Sequence, residues 1–178
     1  MNGITIGLVG FHELHGSGFD DVLTEVERLS PLTDALFVMP HWGIEYEREK
    51  PSAQQRQEAH ALIDAGADVI IGAHPHVIQP IELYQDKPIF YSLGNFIFDQ
   101  YFSQETMEGL AVGVTLIKEY TTTTAAFFLR PIEITQKSQP ALAGIERTEA
   151  IRSFNAVHSI VPETLKEDIS KGYFTVSW

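Results

Sequence analysis

Five side chains carry most of the chemistry this sequence offers. His74 and His76 flank Pro75 in the stretch Gly72-Ala73-His74-Pro75-His76-Val77-Ile78-Gln79, directly after the apolar run Val69-Ile70-Ile71. His41 follows a second apolar run, Ala35 to Met39, with Pro40 between. Imidazole nitrogens suit first-row divalent ions, so three of them after two apolar strands point to a metal site. In an extended segment residues i and i+2 project to the same side. Pro75 steers His74 away from helical backbone, so the pair is expected to be extended and partly organised as a chelate. Neighbouring strands lie ~4.8 Å apart, which lets His41 join if its strand is adjacent. Glu45, in His41-Trp42-Gly43-Ile44-Glu45-Tyr46, can orient a ligating imidazole or act as a general acid or base. Asn95, in the turn after Tyr91-Ser92-Leu93-Gly94, either reaches this site or closes its own turn.

The remaining candidates are weaker. His12 and His15 lie in Phe11 to Gly18, expected to be a loop opening on the same rim. Asp99 reads as structural, and Trp42 as either a core residue or a substrate platform. His60 and His158 fall on or near helices and read as structural or exposed.

These residues need strand ends to position them. Ile4 to Val9, Ala35 to Met39 and Val69 to Ile71 read as strands. Between them lie amphipathic helices, one from Asp20 or Asp21 to about Leu29 and one over Gln54 to Ala65, capped by Ser52 and ended by Gly66. Strand–helix–strand–helix–strand is the pattern of a parallel sheet with crossover helices, and such sheets hold ligands beyond the carboxyl ends of their strands. The pattern then changes. Ile81 to Tyr84 and Ile89 to Leu93 form a hairpin-like pair around Gln85 to Pro88. Leu110 to Ile117 and Ala125 to Ile134 predict longer antiparallel strands, with Thr121 to Thr124 able to extend either. Gly144 to His158 and Glu163 to Ser170 predict helices, and Tyr173 to Val176 a last strand. The fold class is therefore α/β: a parallel βαβαβ section followed by antiparallel strands, in a single domain over residues 1–178.

Composition narrows the function. The chain has 178 residues, 24 acidic and 12 basic, for a net charge of −12, which disfavours a nucleic-acid partner because phosphate contacts need clustered Lys and Arg. It has no Cys, so thiolate metal sites and disulfides are excluded. No stretch approaches the ~20 apolar residues of a membrane helix, and no signal-peptide pattern opens the chain. A phosphate loop of the Gly-x-x-x-x-Gly-Lys type, a Gly-x-Ser-x-Gly elbow and a His-Glu-x-x-His helix are all missing from the sequence.

Three segments together resemble a known family: Pro-His-Trp-Gly-Ile-Glu-Tyr (40–46), Ala-Gly-Ala-Asp-Val-Ile-Ile-Gly-Ala-His-Pro-His-Val-Ile-Gln (65–79) and Tyr-Ser-Leu-Gly-Asn-Phe-Ile-Phe-Asp (91–99). In order and spacing they resemble the CapA, or PgsA-like, proteins of poly-γ-glutamate capsule synthesis. That family is similar to the calcineurin-like metallophosphoesterases, whose fold is a four-layer α/β/β/α sandwich with a two-metal site at its strand ends. The resemblance implies that His41, His74 and His76 are metal ligands, with Glu45 and Asn95 as the catalytic candidates beside them. The family's upstream Gly-Asp, acidic and Asn-His motifs are absent. The resemblance thus implies a C-terminal portion of a longer domain, half of the sandwich, holding one divalent ion (Mn, Zn or Fe) rather than two. Implied partners are an N-terminal half or other capsule-synthesis proteins, and the implied location is the extracytoplasmic cell surface. Three functions follow as expectations: a metal-dependent phosphoesterase, a non-catalytic component of a synthesis or export complex, or a half-site completed by another chain.

Overall fold

Alternating and continuous apolar runs decide the strands, and a computed structural model describes where they go for residues 3–13, 18–135 and 137–178. His15 lies outside the described residues. β1 (Ile6–His12), β2 (Ala35–His41) and β3 (Val69–Ile71) run parallel, joined by α1 (Phe19–Leu29) and α2 (Ala53–Asp64). β4 (Ile81–Tyr84) and β5 (Lys87–Phe90) form an antiparallel hairpin whose second strand lies parallel to β3. The order in this first sheet is β1-β2-β3-β5-β4. Gln85 and Asp86 both have positive φ, 48° and 61°, the conformation of a two-residue hairpin turn that follows strand twist.

The second sheet is antiparallel. β6 (Glu108–Glu119) pairs along its whole length with β7 (Thr122–Ile134), whose other side takes β8 (Pro140–Leu142) and β9 (Tyr173–Ser177). The threonine run goes mainly to β7, where Thr123 is buried. α3 (Ile145–His158) and α4 (Glu163–Lys171) separate β8 from β9.

Two core layers follow from period-two alternation. On one face of the first sheet, Val9, Phe11, Leu36, Val38 and Ile70 pack against Val22 and Val26 of α1 and Ala59, Leu62 and Ile63 of α2. On the other face, Ala35, Phe37, Val69 and Phe90 meet Leu110, Ala125, Phe127 and Leu129 of the second sheet, with Phe174 of β9, Ile151 of α3 and Ile169 of α4. Helices, sheet and sheet thus stack in succession: a mixed α/β chain in which a parallel section precedes an antiparallel one, as the sequence predicts.

Several boundaries differ from expectation. β1 runs on through Phe11 to His12, so that histidine sits on a strand and not in a loop; Phe11 is drawn in because its ring joins the first core layer. β2 continues through Pro40 to His41. β5 begins earlier and ends at Phe90. β8 was not expected, since Pro140 is a poor strand signal, although strand-end Pro is tolerated.

Candidate functional site

The rim at the carboxyl ends of β1, β2 and β3 is where the candidates meet. The β1–β2 register pairs His12 with His41, and their rings stack 4.4 Å apart. An isolated bridge pairs His41 with Ala73, carrying the chain past β3 to His74. The His41 and His74 rings lie 4.7 Å apart, and those of His74 and His76 5.9 Å apart. Four imidazoles therefore follow one another around the rim.

Close backbone approach makes this possible. Trp42 is fully buried, a core residue and not a substrate platform, and its Nε1–H donates to the Tyr91 carbonyl at 2.9 Å. A Cβ at Gly72 would lie 2.1 Å from that carbonyl oxygen and 2.5 Å from Trp42 Nε1, so only glycine lets β3 lead into the histidine segment here. The expected extended His-Pro-His geometry is not what forms. His74 has φ 104° and His76 φ 61°, so the segment coils and the rings converge by a turn. Hydrogen bonds hold that turn: Trp42 N–H donates to Ala73 O at 3.0 Å and Tyr46 N–H to Pro75 O at 2.8 Å. Strained non-glycine backbone of this kind persists where surrounding contacts over-determine it.

Two overlapping groups of donor atoms result. His74 Nδ1 lies 3.1 Å from His41 Nε2. Glu45, His74 and His76 each offer a ligand atom within 4.8 Å of the other two, with His76 Nε2 3.8 Å from Glu45 Oε1. His74 belongs to both. Two ligands of a tetrahedral ion with metal–nitrogen bonds of about 2.0–2.1 Å sit ~3.3 Å apart, close to the His41–His74 spacing. Burial pushes the His74 imidazole below its usual pKa, while the Glu45 carboxylate opposes that shift. The neutral ring so favoured is the form that binds metal.

Asn95 is buried and does reach the site. Its Oδ1 lies 2.9 Å from His76 Nδ1. His76 is also flanked by two rings, Tyr46 stacked at 6.0 Å and Phe98 at 4.9 Å. Asp99 is exposed. His60 stacks flat on Tyr84 at 3.8 Å and bonds Glu82 at 2.9 Å, and His158 stacks on Phe154 at 4.5 Å, the structural roles expected of both.

Sequence reasoning missed the polar residues that hold the loops. Gly43 N–H donates to Glu13 Oε2 at 2.8 Å. Gln55 Nε2 donates to Gln79 Oε1, and Gln79 Nε2 to the Glu47 carbonyl. Gln55 stands in phase with Ala59 and Leu62 on the inner face of α2, and a polar residue on an apolar face was the available signal. Arg48 ties the same loop to the second sheet, 3.3 Å from Glu108, with its guanidinium 4.2 Å over the Phe154 ring. Beside the rim, a cleft of about 490 Å³ is lined by Met39, His41, Leu93, Asn95, Phe96 and Leu110 among others.

A mixed α/β domain with histidines and a carboxylate gathered at its parallel strand ends is the class these observations define. The model of the family described as bacterial capsule synthesis protein PGA_cap matches residues 12–100, half of the chain, and the chain belongs to that family. It is 38% identical over 148 residues to the PGA biosynthesis protein CapA of Bacillus subtilis, covering 75% of this chain and 38% of that protein. It is 55% identical over 67 residues to the capsule biosynthesis protein CapA of Bacillus anthracis, covering 38% of this chain and 16% of that protein. A probable polyglutamine synthesis accessory protein of Mycobacterium tuberculosis is 36% identical over 80 residues, 45% of this chain and 21% of that protein. The chain thus spans well under half the length of the curated relatives it matches.

Proposed function

We propose that this chain is the metal-binding portion of a metallophosphoesterase-like domain that acts in capsule synthesis or export at the extracytoplasmic surface, with poly-γ-glutamate as the polymer concerned. The family membership and the names of the relatives support the capsule context. Among the described residues no helix is long and apolar enough to cross a membrane. Stacked layers of helices, parallel sheet and antiparallel sheet support half of an α/β/β/α sandwich.

The single observation that carries the metal reading is the convergence on His74: His41 Nε2 at 3.1 Å on one side, Glu45 and His76 within 4.8 Å on the other. The donors are nitrogen and oxygen only, which suits Mn, Fe or Zn. In this reading Glu45, His74 and His76 hold one ion, and His41, 3.1 Å from His74, is the further candidate ligand; a Glu45 not bound to the ion would accept a water proton. A bound ion would polarise a phosphoryl oxygen and make its water a nucleophile near neutral pH. The chain's own part is to orient His76 through Asn95 and to wall one side with Tyr46 and Phe98.

A specific observation favours completion of this site by further polypeptide. Ile6 and Leu8 of β1 and Met39 of β2 face the inter-sheet side yet are 53%, 67% and 49% exposed. Both β1 and most of β6 are sheet edges among the described residues, so the inter-sheet seam is open along one side. Unpaired edges beside an apolar strip invite added strands.

Metal content per chain, measured together with hydrolysis of a generic phosphoester, tests the proposal. Bound metal with turnover is the expected result for a self-sufficient site. Bound metal without turnover identifies a half-site needing its partner. An absence of metal after loading with Zn or Mn would leave a non-catalytic component of the assembly and overturn the metal reading.

A further inference from the structure

Three side chains, Asn95, Gln100 and Tyr46, close a ring of contacts around His76, and the Thr106 backbone carbonyl anchors it. Asn95 Nδ2 donates to the Thr106 carbonyl at 2.9 Å and to Gln100 Oε1 at 3.2 Å. Gln100 Nε2 donates to the Tyr46 hydroxyl at 3.0 Å, and the Tyr46 ring stacks back on His76. Thr106 is itself fixed, its hydroxyl donating to the Gln100 carbonyl at 2.9 Å. The amide of Asn95 has two donors and one acceptor oxygen. Thr106 O and Gln100 Oε1 are both acceptors, so both amide protons are committed to them. Flipping Asn95 would set oxygen against oxygen at the Thr106 carbonyl, which has no proton to give. The Asn95 oxygen must therefore face His76 Nδ1.

We propose that Asn95, locked in one orientation by Thr106 and Gln100, fixes His76 as its Nδ1–H tautomer and so turns the Nε2 lone pair toward Glu45 and His74. An oxygen acceptor 2.9 Å from Nδ1 demands a proton there, and a neutral imidazole carries only one. Nε2 is the atom nearest Glu45, at 3.8 Å, so the lone pair lands on the side where the other candidate ligands gather. Asn95, Gln100 and Thr106 are then positioning residues, acting through His76. The tautomer stands on hydrogen bonds alone, while its value to an ion rests on the metal reading above. Outer partners of this kind usually change metal affinity 10–100-fold when removed.

The test is long-range ¹⁵N–¹H correlation of the histidine rings in the full, metal-free chain at a pH where His76 is neutral, followed by Zn titration. The expected wild-type pattern for His76 is a protonated Nδ1 and an unprotonated Nε2. Asn95→Asp keeps an acceptor oxygen at His76 Nδ1 and should keep that nitrogen protonated, although its second oxygen now meets the Thr106 carbonyl and the lock on its orientation is lost. Asn95→Leu removes the acceptor; His76 should relax toward the Nε2–H form and Zn affinity fall about 10–100-fold. Should that variant not fold, Gln100→Leu is the substitute, with a partial shift in the same direction. A wild-type His76 in the Nε2–H form, or a folded Asn95→Leu variant with an unchanged tautomer, overturns the proposal. A correct tautomer in a chain that binds no Zn upholds the proposal and defeats the metal reading instead.

Discussion

Among the described residues, His74 belongs both to the pair with His41 and to the trio with Glu45 and His76. Removing it should do more than removing either neighbour. We expect His74→Ala to abolish measurable Zn binding by calorimetry, while His41→Ala weakens it about 10–100-fold. Equal losses from both would place the ion elsewhere. That the three histidines would gather along one rim was legible in the sequence, because they follow apolar strands. Their geometry was not. Pro75 argued for extended backbone at His74, yet both histidines have positive φ, since bonds from Trp42 and Tyr46 to the segment's carbonyls impose a coil that no local rule contains. Asn95 was ambiguous for a related reason. Its acceptor role depends on Thr106 and Gln100, and residue types alone do not tell which way an amide points.

Among the elements, α2 does the most to hold the site's loops. Ser52 Oγ accepts from Gln55 N–H while Gln55 Oε1 accepts from Ser52 N–H, a capping box. Gln55 then passes the constraint to Gln79 and the Glu47 carbonyl. We expect Ser52→Ala to cost about 1 kcal/mol in chemical denaturation. The cap was readable from sequence; the onward link was not, because it is made across the fold. Further along α2, Glu58 has its pKa raised, first by burial and then by the Glu13 carboxylate. Its protonated form favours the fold, so that contribution is present below the ordinary Glu value of 4.5 and is lost as pH rises through the raised value. Glu58→Gln should therefore become progressively more stable relative to wild type as pH is taken from below 4.5 upward. A difference that stays constant across that range would contradict this.

At the scale of the molecule, the two sheets share a core that is closed on one side and open on the other. Phe127 is fully buried between the sheets, whereas Leu8 is 67% exposed on the same inter-sheet side. Truncation should report the difference: Phe127→Ala should cost about 3–5 kcal/mol, and Leu8→Lys less than about 0.5 kcal/mol, by urea denaturation of the chain alone. A large loss from Leu8→Lys would mean the seam is already covered, by a second copy for example. The succession of parallel and antiparallel sections was visible in the sequence through helix caps and strand lengths. The open seam was not, because alternation along β1 shows that Ile6 and Leu8 share a face without showing what covers it.

A metal role depends above all on His74 and His76 nitrogens meeting the Glu45 carboxylate at one ion, with His41 beside His74. X-ray absorption at the Zn edge of the loaded chain measures that directly. We predict a nitrogen and oxygen shell at about 2.0–2.1 Å with the outer-ring scattering of two to three imidazoles, lost on His74→Ala. A shell of oxygen alone, or a spectrum unaltered by His74→Ala, would contradict it.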